Sequence, residues 1–160
     1  MEGAVRKKPL ETRERILDAA EDVFNARGVS RTTLNEIAEA AGVTRGAIYW
    51  HFKNKVELFE AMCDRVRGPM KALVEKTADK DTEDPLEQLS AGHENLMQGI
   101  IDNPHYRKVL NILFHKCEYT DESDAIVIQQ KEWQTYCNSM IQNTLSNAQL
   151  RKQLPEDLDI

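Results

Sequence analysis

The sequence predicts an all-α protein, because three kinds of signal recur along its 160 residues. Apolar residues return every three or four positions in each long segment, which is the period of a helix. No segment alternates apolar and polar residues as a half-buried strand does. Capping residues, glycines and prolines mark helix ends. These signals predict an N-terminal three-helix domain over residues 1–53 and a second helical domain over residues 54–160.

The composition is that of a globular protein, with 41% apolar and 30% charged residues. No run approaches the roughly 20 apolar residues that a membrane span needs. The N-terminus is basic but lacks the apolar core of a signal peptide. We therefore expect a cytoplasmic protein with no membrane partner. The three cysteines are widely spaced, which argues against a disulfide framework.

The charge is unevenly distributed along the chain. The whole sequence carries a net charge of −6. Residues 1–55 hold ten Lys/Arg and eight Asp/Glu, a net of +2, whereas residues 56–160 hold eleven and nineteen, a net of −8. Since local charge governs the encounter with phosphates, the basic N-terminal part is the candidate for a polyanionic partner.

The first helix is predicted from about Leu10 to Arg27, with Gly28 closing it. Residues 1–8 precede it as a basic stretch, either an arm that touches DNA or a solvated tail. One face of the helix is apolar. Its members are Ile16, Leu17, Ala20, Val23 and Phe24.

Two short helices follow. Thr33 and Glu36 have the spacing of a capping box, and Gly42 is suited to the turn after the helix. Thr44 caps the next helix, which runs to about Phe52 and turns Ile48 and Phe52 inward. The positions of the small residue Ala38, the turn glycine and Ile48 match a DNA-binding helix-turn-helix. The alternative is an ordinary helical hairpin with Trp50 in the core.

The second short helix exposes donors and flat rings, a chemistry suited to nucleic acid. Arg45 and Tyr49 are the candidates for contact with base edges, and Gly46 permits close approach of the helix start. The candidates for contact with the DNA backbone are Thr32, Thr33, Thr44, Trp50, His51 and Lys55.

The same residues carry a family resemblance. The segment TRGAIYWHF, with the helices around it, resembles the N-terminal domain of TetR-family transcriptional repressors. That segment and the later ILFHKCE resemble the AcrR-like repressors of multidrug efflux pumps. The resemblance implies a homodimer on a near-palindromic double-stranded operator, released by a small apolar, drug-like effector. It also assigns a DNA contact to the position of Lys55.

A fourth helix is predicted to begin at the N-cap Asn54 and to continue to about Thr77. Gly68-Pro69 lies inside it, and an internal proline removes a hydrogen bond. We therefore predict a kink or break there. It is either the end of one helix and the start of another, or a hinge between effector pocket and DNA reader.

Three further helices are predicted, starting near Pro85, Pro104 and Asp121, the last running to about Asn147. On the fifth and sixth, Leu89, Val109 and Phe114 are among the residues predicted to face inward. Flexible methionines and a few polar groups on these helices suit an adaptable apolar pocket, although plain core has the same pattern. The candidate lining is Met62, Val66, Met70, Leu89, His93, Leu96, Met97, Ile100, Leu110, Asn111, Leu113, Phe114, Cys137, Met140 and Ile141.

No phosphate-binding glycine loop, nucleophile elbow or paired-carboxylate motif is present, so we expect neither an enzyme nor a cofactor. His115, Cys117 and Cys137 lack the spacing of a zinc site, and we expect no metal. A thiol or metal sensor on this fold and a protein-interaction module remain the alternatives. Pro155 predicts one more helix start. TetR-like proteins continue with two further helices, so we expect a truncated chain.

Overall fold

The structure is a computed structural model that describes residues 2–117 and 124–160, with side chains from 9 to 117 and from 125 to 160. Every regular element in these residues is a helix, which confirms the predicted fold class. The helices are α1 (Glu2–Arg27), α2 (Leu34–Ala40), α3 (Arg45–His51), α4 (Lys55–Ala78), α5 (Pro85–Asp102), α6 (Pro104–His115) and α7 (Asp124–Leu150). None of these helices is long and apolar enough to cross a membrane.

The chain forms two compact units. The first contains Met1–Arg65 and Pro104–Val127, and the second contains Val66–Asn103 and Ile128–Ile160. These units differ from the predicted domains 1–53 and 54–160, because α6 packs on α1. A single boundary at residue 53 places α1 and α6 in different domains, although the two helices pack together.

The first unit has a core built from the predicted apolar faces. α1 packs on both α2 and α6, and α2 packs on α3. Phe24 meets Phe59 edge to face, with 6.0 Å between the ring centroids. The fully buried apolar side chains include Ile16, Leu17, Ala20, Phe24, Ile37, Ile48, Leu58, Met62, Val109 and Ile112. Burial of this apolar surface is what holds the short helices α2 and α3, which would not persist alone.

The predicted caps of α2, α3 and α4 are present. Thr33 and Glu36 form the reciprocal capping box. The backbone N–H of Ala47 donates to Thr44 Oγ1 at 3.2 Å, and that of Glu57 donates to Asn54 Oδ1 at 2.8 Å. Each contact satisfies a donor that the first helical turn leaves without an intrahelical partner.

Both predicted turn glycines lie in the left-handed region. Gly28 has φ +86° and Gly42 has φ +63°. A side chain at either position would strain the backbone, which explains why glycine ends α1 and separates α2 from α3.

α1 begins at Glu2, eight residues before the predicted start at Leu10. The segment predicted to be a loose basic arm therefore has a helical backbone. The side chains of Arg6, Lys7 and Lys8 lie outside the described residues. Glu, Ala, Arg and Lys are good helix formers, which explains the extension past Pro9.

α4 is continuous through Gly68 and Pro69. The prediction that one helix ends and another starts there is therefore wrong, because Pro69 removes only one hydrogen-bond donor from a helix of 24 residues. The hinge stays a prediction.

The second unit contains the end of α4 together with α5 and α7. Thr144 and Thr77 are both fully buried, and the Thr144 hydroxyl donates to Thr77 Oγ1 at 3.1 Å. Gly92 leaves room for Leu73, because a Cβ at Gly92 would lie 2.1 Å from the Leu73 Cδ1. These contacts fix α4 against α7 and α5 within the unit.

Tyr136 is a second link between α4 and α7. Its hydroxyl donates to Glu75 Oε1 at 2.6 Å. This hydrogen bond, followed by burial, raises the pKa of Tyr136 to about 12. Trp133 lies one turn before Tyr136 on α7, and the guanidinium of Arg67 lies 5.3 Å from the centroid of its ring.

Two predictions near the end of the chain need correction. The predicted start of α7 at Asp121 lies outside the described residues, and α7 continues past Asn147 to Leu150. The helix predicted at Pro155 does not form. Lys152 has φ 60° and the following residues form turns, because a single helical turn is unfavourable without packing.

The predicted inward face of α6 is partly wrong. Val109 is buried as predicted, and Ile112 is buried with it. Phe114 is instead 74% exposed. Because α6 packs on α1 through Val109 and Ile112, Phe114 falls on the opposite side of the helix.

Candidate nucleic-acid interface

Apolar residues hold α3 from beneath, and Arg15 holds the turn that precedes it. Ile48 is fully buried and Phe52 is 2% exposed, so one face of α3 is fixed in the core. The Arg15 guanidinium on α1 donates to the Ala41 carbonyl at 2.7 Å, at the end of α2. This contact ties α1 to the turn between α2 and α3 and positions the turn.

The opposite face of α3 is exposed and carries the predicted readers. Tyr49 is 45% exposed and Trp50 is 72% exposed. The Arg45 guanidinium lies over the Tyr49 ring, 5.7 Å from the centroid. Within the described residues, no carboxylate lies at salt-bridge distance from Arg45. The cation therefore keeps its charge and contacts a ring face, a contact worth about 0.5–1 kcal/mol at an exposed site.

His51 and Arg13 lie at the other end of α3. The His51 ring packs edge to face on Trp50 at 4.6 Å between centroids. Arg13, from α1, places its guanidinium 5.4 Å from the centroid of the Phe52 ring. Burial, and then the charge of Arg13, lowers the pKa of His51 below its usual value. His51 is therefore a neutral hydrogen-bond donor at neutral pH.

The other predicted DNA contacts differ in their setting. Gly46 is exposed, and a Cβ there would meet only Thr44 Oγ1 at 4.0 Å. Thr33 is exposed but its hydroxyl donates to Glu36 Oε2 at 2.9 Å. Lys55 is half-buried and its ammonium donates to the Ser30 carbonyl at 3.1 Å. These three contacts with DNA stay predictions.

The prediction for Thr32 needs correction. Its side chain is 2% exposed, and its hydroxyl donates to the Gly28 carbonyl at 2.7 Å. A buried hydroxyl engaged with the backbone stabilises the loop between α1 and α2 and is not presented to a phosphate.

An ion-pair cluster joins α1, α4 and α6 in the first unit, and it was not predicted from the sequence. Glu21 on α1 is fully buried. It accepts from Arg65 of α4 at 2.7 Å, and its other oxygen lies 2.5 Å from His105 Nδ1 of α6. Glu21 shares the helix face of Leu17 and Phe24. A carboxylate on an apolar stripe was the signal available in the sequence.

Arg65 supplies the positive charge of this cluster. Its guanidinium contacts Glu14 at 2.5 Å, Asp18 at 2.7 Å and Glu21 at 2.7 Å. Burial would lower the pKa of Arg65, but the hydrogen bonds with Asp18, Glu14 and Glu21 raise it on balance. Oxygen and nitrogen atoms of Asp18, Glu21 and His105 lie within 4.8 Å of one another, as a metal site requires. Because Arg65 already donates to both Asp18 and Glu21, these residues form an ion-pair cluster.

The thiols offer no support for a redox sensor. Cys63 is fully buried. Cys117 donates weakly to the Ile112 carbonyl at 3.5 Å. Burial raises the pKa of Cys137, which disfavours the reactive thiolate despite the nearby charge of Arg67.

The candidate effector-lining residues divide between the two units. Met62 is fully buried in the first unit, and Asn111 donates to Asn25 Oδ1 at 2.6 Å. Phe114, at 74% exposure, does not enclose a cavity. The first unit contains Met62, Leu110, Asn111, Leu113 and Phe114; the second contains Val66, Met70, Leu89, His93, Leu96, Met97, Ile100, Cys137, Met140 and Ile141.

Each unit also has an open groove on its surface. The groove of the first unit has a volume of about 400 Å³ and lies between α1 and α2, with Val23 and Ala40 among its lining residues. The groove of the second unit, about 470 Å³, follows α7 from Ile128 to Tyr136. Neither groove contains a residue of the candidate effector lining, so the position of an effector stays a prediction.

A capped α2, a glycine turn and a short α3 with an outward guanidinium and rings define a helix-turn-helix protein. Residues 16–62 match the family described as bacterial regulatory proteins, tetR family, and residues 84–160 match the C-terminal region of the MAATS-type transcriptional repressors. The chain belongs to the TetR family of transcriptional regulators.

The similarity extends over nearly the whole chain. This chain is 41% identical to the probable transcriptional regulator ArpR of Pseudomonas putida, over 97% of this chain and 74% of that protein. The SmeT–triclosan complex superposes with a TM-score of 0.81 at 32% identity, covering 89% of this chain and 68% of SmeT, a Stenotrophomonas maltophilia protein. NalD of Pseudomonas aeruginosa has a TM-score of 0.67 at 37% identity, covering 94% of this chain and 71% of NalD.

Proposed function

We propose that this protein is a ligand-responsive repressor of a multidrug efflux operon, acting in the cytoplasm on double-stranded DNA. The observation that carries the proposal is the exposed face of α3, where Arg45, Tyr49 and Trp50 stand over a buried Ile48. SmeT is described as the repressor of the multidrug efflux pump SmeDEF, and NalD as the secondary repressor of MexAB-OprM. We propose an efflux operon as the target of this protein because those relatives repress efflux pumps.

In the proposed complex α3 enters the major groove. Arg45 and Tyr49 contact base edges, where a guanidinium pairs most readily with guanine. Thr33, Thr44, Trp50, His51 and Lys55 hold the DNA backbone, and Gly46 permits close approach. Thr32 is not part of this set, because its hydroxyl is buried in the loop.

The protein is proposed to act as a homodimer on a near-palindromic operator. A helix-turn-helix reads one half-site, and two half-sites one helical turn or a multiple apart require two copies related by a two-fold axis. The net charge of +2 over residues 1–55 favours the approach of this end of each copy to DNA.

The effector is proposed to be a small apolar, drug-like molecule that binds among the predicted lining residues. SmeT has been crystallised with triclosan, a compound of that chemistry. In the first unit Phe114 is exposed and Met62 is fully buried in the core, so neither offers a cavity wall. The predicted lining residues of the second unit are therefore the better candidates for contact with the effector. An effector releases DNA only to the extent that it binds the non-DNA-binding conformation more tightly.

The test is a fluorescence-anisotropy titration against salt, using a duplex selected from a random library. Arg45→Ala should weaken binding by about 1–3 kcal/mol and relax sequence preference. Lys55→Ala should weaken binding to all duplexes alike and reduce the salt slope by about one. Wild-type binding by both variants would contradict the site, and a wild-type protein that binds no duplex would contradict the function.

The effector response is tested separately with triclosan. Adding it to the wild-type complex should release the labelled duplex. Direct binding of triclosan, measured by calorimetry, shows whether a lack of release reflects no binding or no coupling. Binding without release would contradict ligand-responsive repression by this class of compound.

A further inference from the structure

Arg13 places a second guanidinium beside α3, at the end opposite Arg45. Arg45 lies over the Tyr49 ring at 5.7 Å, and Arg13 lies over the Phe52 ring at 5.4 Å. Phe52 caps the C-terminal end of α3. Each end of the short helix therefore has a guanidinium held against an aromatic ring, one from α3 itself and one from α1.

Little else in the described part of the chain engages the Arg13 charge. Its nearest carboxylate is that of its neighbour Glu14, at 3.5 Å, and both side chains are substantially exposed, at 39% and 53%. Glu14 itself makes a shorter contact, 2.5 Å, with Arg65. An exposed ion pair of this length contributes little to stability, so the Arg13 guanidinium remains available to a partner outside the protein.

The neighbouring His51 does not supply a charge at this end of α3. Because burial and Arg13 lower the pKa of His51, the imidazole is neutral at pH 7. Arg13 therefore places a positive charge beside His51 that the imidazole itself does not supply. A guanidinium held against a ring is partly oriented in advance, and its fork of donors matches the oxygens of a phosphate.

We propose that Arg13 is a DNA-backbone contact, so that the DNA surface of this protein extends from α3 onto α1. Arg13 donates hydrogen bonds to a phosphate beside the C-terminal end of α3, and His51 donates a further hydrogen bond to the DNA backbone next to it. The contact adds affinity and fixes the orientation of α3, but it reads no base. This inference rests on the proposed binding of DNA through α3.

The variants Arg13→Gln and Arg13→Lys test the proposal, with Arg27→Gln as the matched control. Arg27 lies on the same helix and carries the same charge, but it pairs with Glu36 at 2.5 Å. The two arginines are fourteen positions apart, about 21 Å along a helix. That distance exceeds the Debye length of about 8 Å at physiological salt, so Arg27→Gln reports only the loss of a distant charge.

The measurement is anisotropy with a selected duplex of about 30 base pairs, long enough for two half-sites, over a range of salt concentrations. Arg13→Gln should reduce the slope of log affinity against log salt by about 0.9 per subunit. It should lower affinity for selected and scrambled duplexes by the same factor. Arg13→Lys should restore most of the slope but only part of the affinity, because lysine keeps the charge without the fork.

A second readout locates the side chain independently of DNA. Nuclear magnetic resonance of His51 should show its pKa rising in Arg13→Gln, because a neighbouring positive charge has gone, and staying unchanged in Arg27→Gln. Thermal melting of each variant shows that the fraction folded is unchanged at the assay temperature.

The outcomes separate the inference from the function on which it rests. If the wild-type protein binds DNA and Arg13→Gln keeps the wild-type slope, or changes it no more than Arg27→Gln does, the Arg13 contact is refuted. A selective loss for one sequence would also refute it, because a backbone contact is sequence-independent. If the wild-type protein binds no duplex, the proposed function itself fails.

Discussion

Arg65 and Arg45 belong to the same unit and have opposite surroundings. Arg65 is 19% exposed and contacts three carboxylates, one of them on the fully buried Glu21. Arg45 is exposed on α3, and among the described residues its guanidinium is held only by the Tyr49 ring. Arg65 is neutralised where helices pack together, whereas Arg45 is left available where α3 faces outward.

The physical reason is the cost of moving a charge out of water. A buried carboxylate without a partner is strongly unfavourable, so Glu21 requires Arg65 and His105 to remain in the core. An exposed guanidinium keeps its water and needs no internal partner. Its charge can then replace condensed counterions along DNA, which favours binding.

The largest expected effect comes from removing the Arg65 partner of Glu21. Arg65→Met should lower the free energy of unfolding by about 3 kcal/mol, because the buried Glu21 carboxylate then keeps only its contact with His105. Chemical denaturation measures it. Arg45→Met is the control and should change stability by no more than about 1 kcal/mol, the value of its contact with the Tyr49 ring. Equal stability of the two variants would abolish the contrast between the two arginines.

A smaller effect is expected at the start of α3, whose cap is local. Thr44→Ala should cost about 1 kcal/mol of stability, because the Ala47 N–H loses its acceptor. Thr44→Ser keeps the hydroxyl and should retain most of that energy in the same denaturation experiment. If alanine and serine behave alike, the cap is not what holds the DNA-facing helix in place.

The pairing of Arg45 with Tyr49 can be measured as a coupling. In a double-mutant cycle of Arg45→Ala and Tyr49→Ala, DNA-binding free energies should be non-additive by about 0.5–1 kcal/mol, because the ring orients the guanidinium. Anisotropy with the selected duplex gives the four values. Strict additivity would mean that the two side chains act on DNA independently.

The smallest effect is expected at Glu36. Hydrogen bonds from the backbone and hydroxyl of Thr33, and then the charge of Arg27, lower the pKa of Glu36. Since its folded pKa lies below the unfolded value, the stabilisation is present above the unfolded value and is lost as pH falls through the folded one. The melting temperature of Glu36→Gln should therefore approach that of wild type on acidification.

The control for this titration is Glu39→Gln, the same change of charge at an exposed position of α2. This control removes the same charge from α2 without touching the capping box, so the comparison isolates the pH dependence that belongs to Glu36. A difference that grows on acidification for Glu36→Gln would reverse the assigned sign.

Much of the helix-turn-helix was predictable because its signals are local. The Thr33–Glu36 capping box, the turn at Gly42 and the cap at Thr44 each involve residues within a few positions of one another. The period of the apolar residues also placed Ile48 and Phe52 in the core. The outward position of Arg45 and Tyr49 followed from the same period.

The errors fell where packing or helix cooperativity outweighed a local signal. Pro69 is a strong local breaker, yet α4 continues through it. Phe114 is apolar and lies at helical spacing, yet α6 turns it outward. Thr32 is polar and lies beside the helix-turn-helix, yet its hydroxyl is used by the loop.

The sequence by itself determined the helical class, the helix-turn-helix and the chemistry displayed on α3, since these depend on neighbours along the chain. Only the tertiary structure decided which cations are neutralised and which remain outward. Arg65 meets Glu14 across 51 positions, and His105 meets Glu21 across 84. Such pairs are set by how α1, α4 and α6 pack, and no periodicity within one helix encodes that packing.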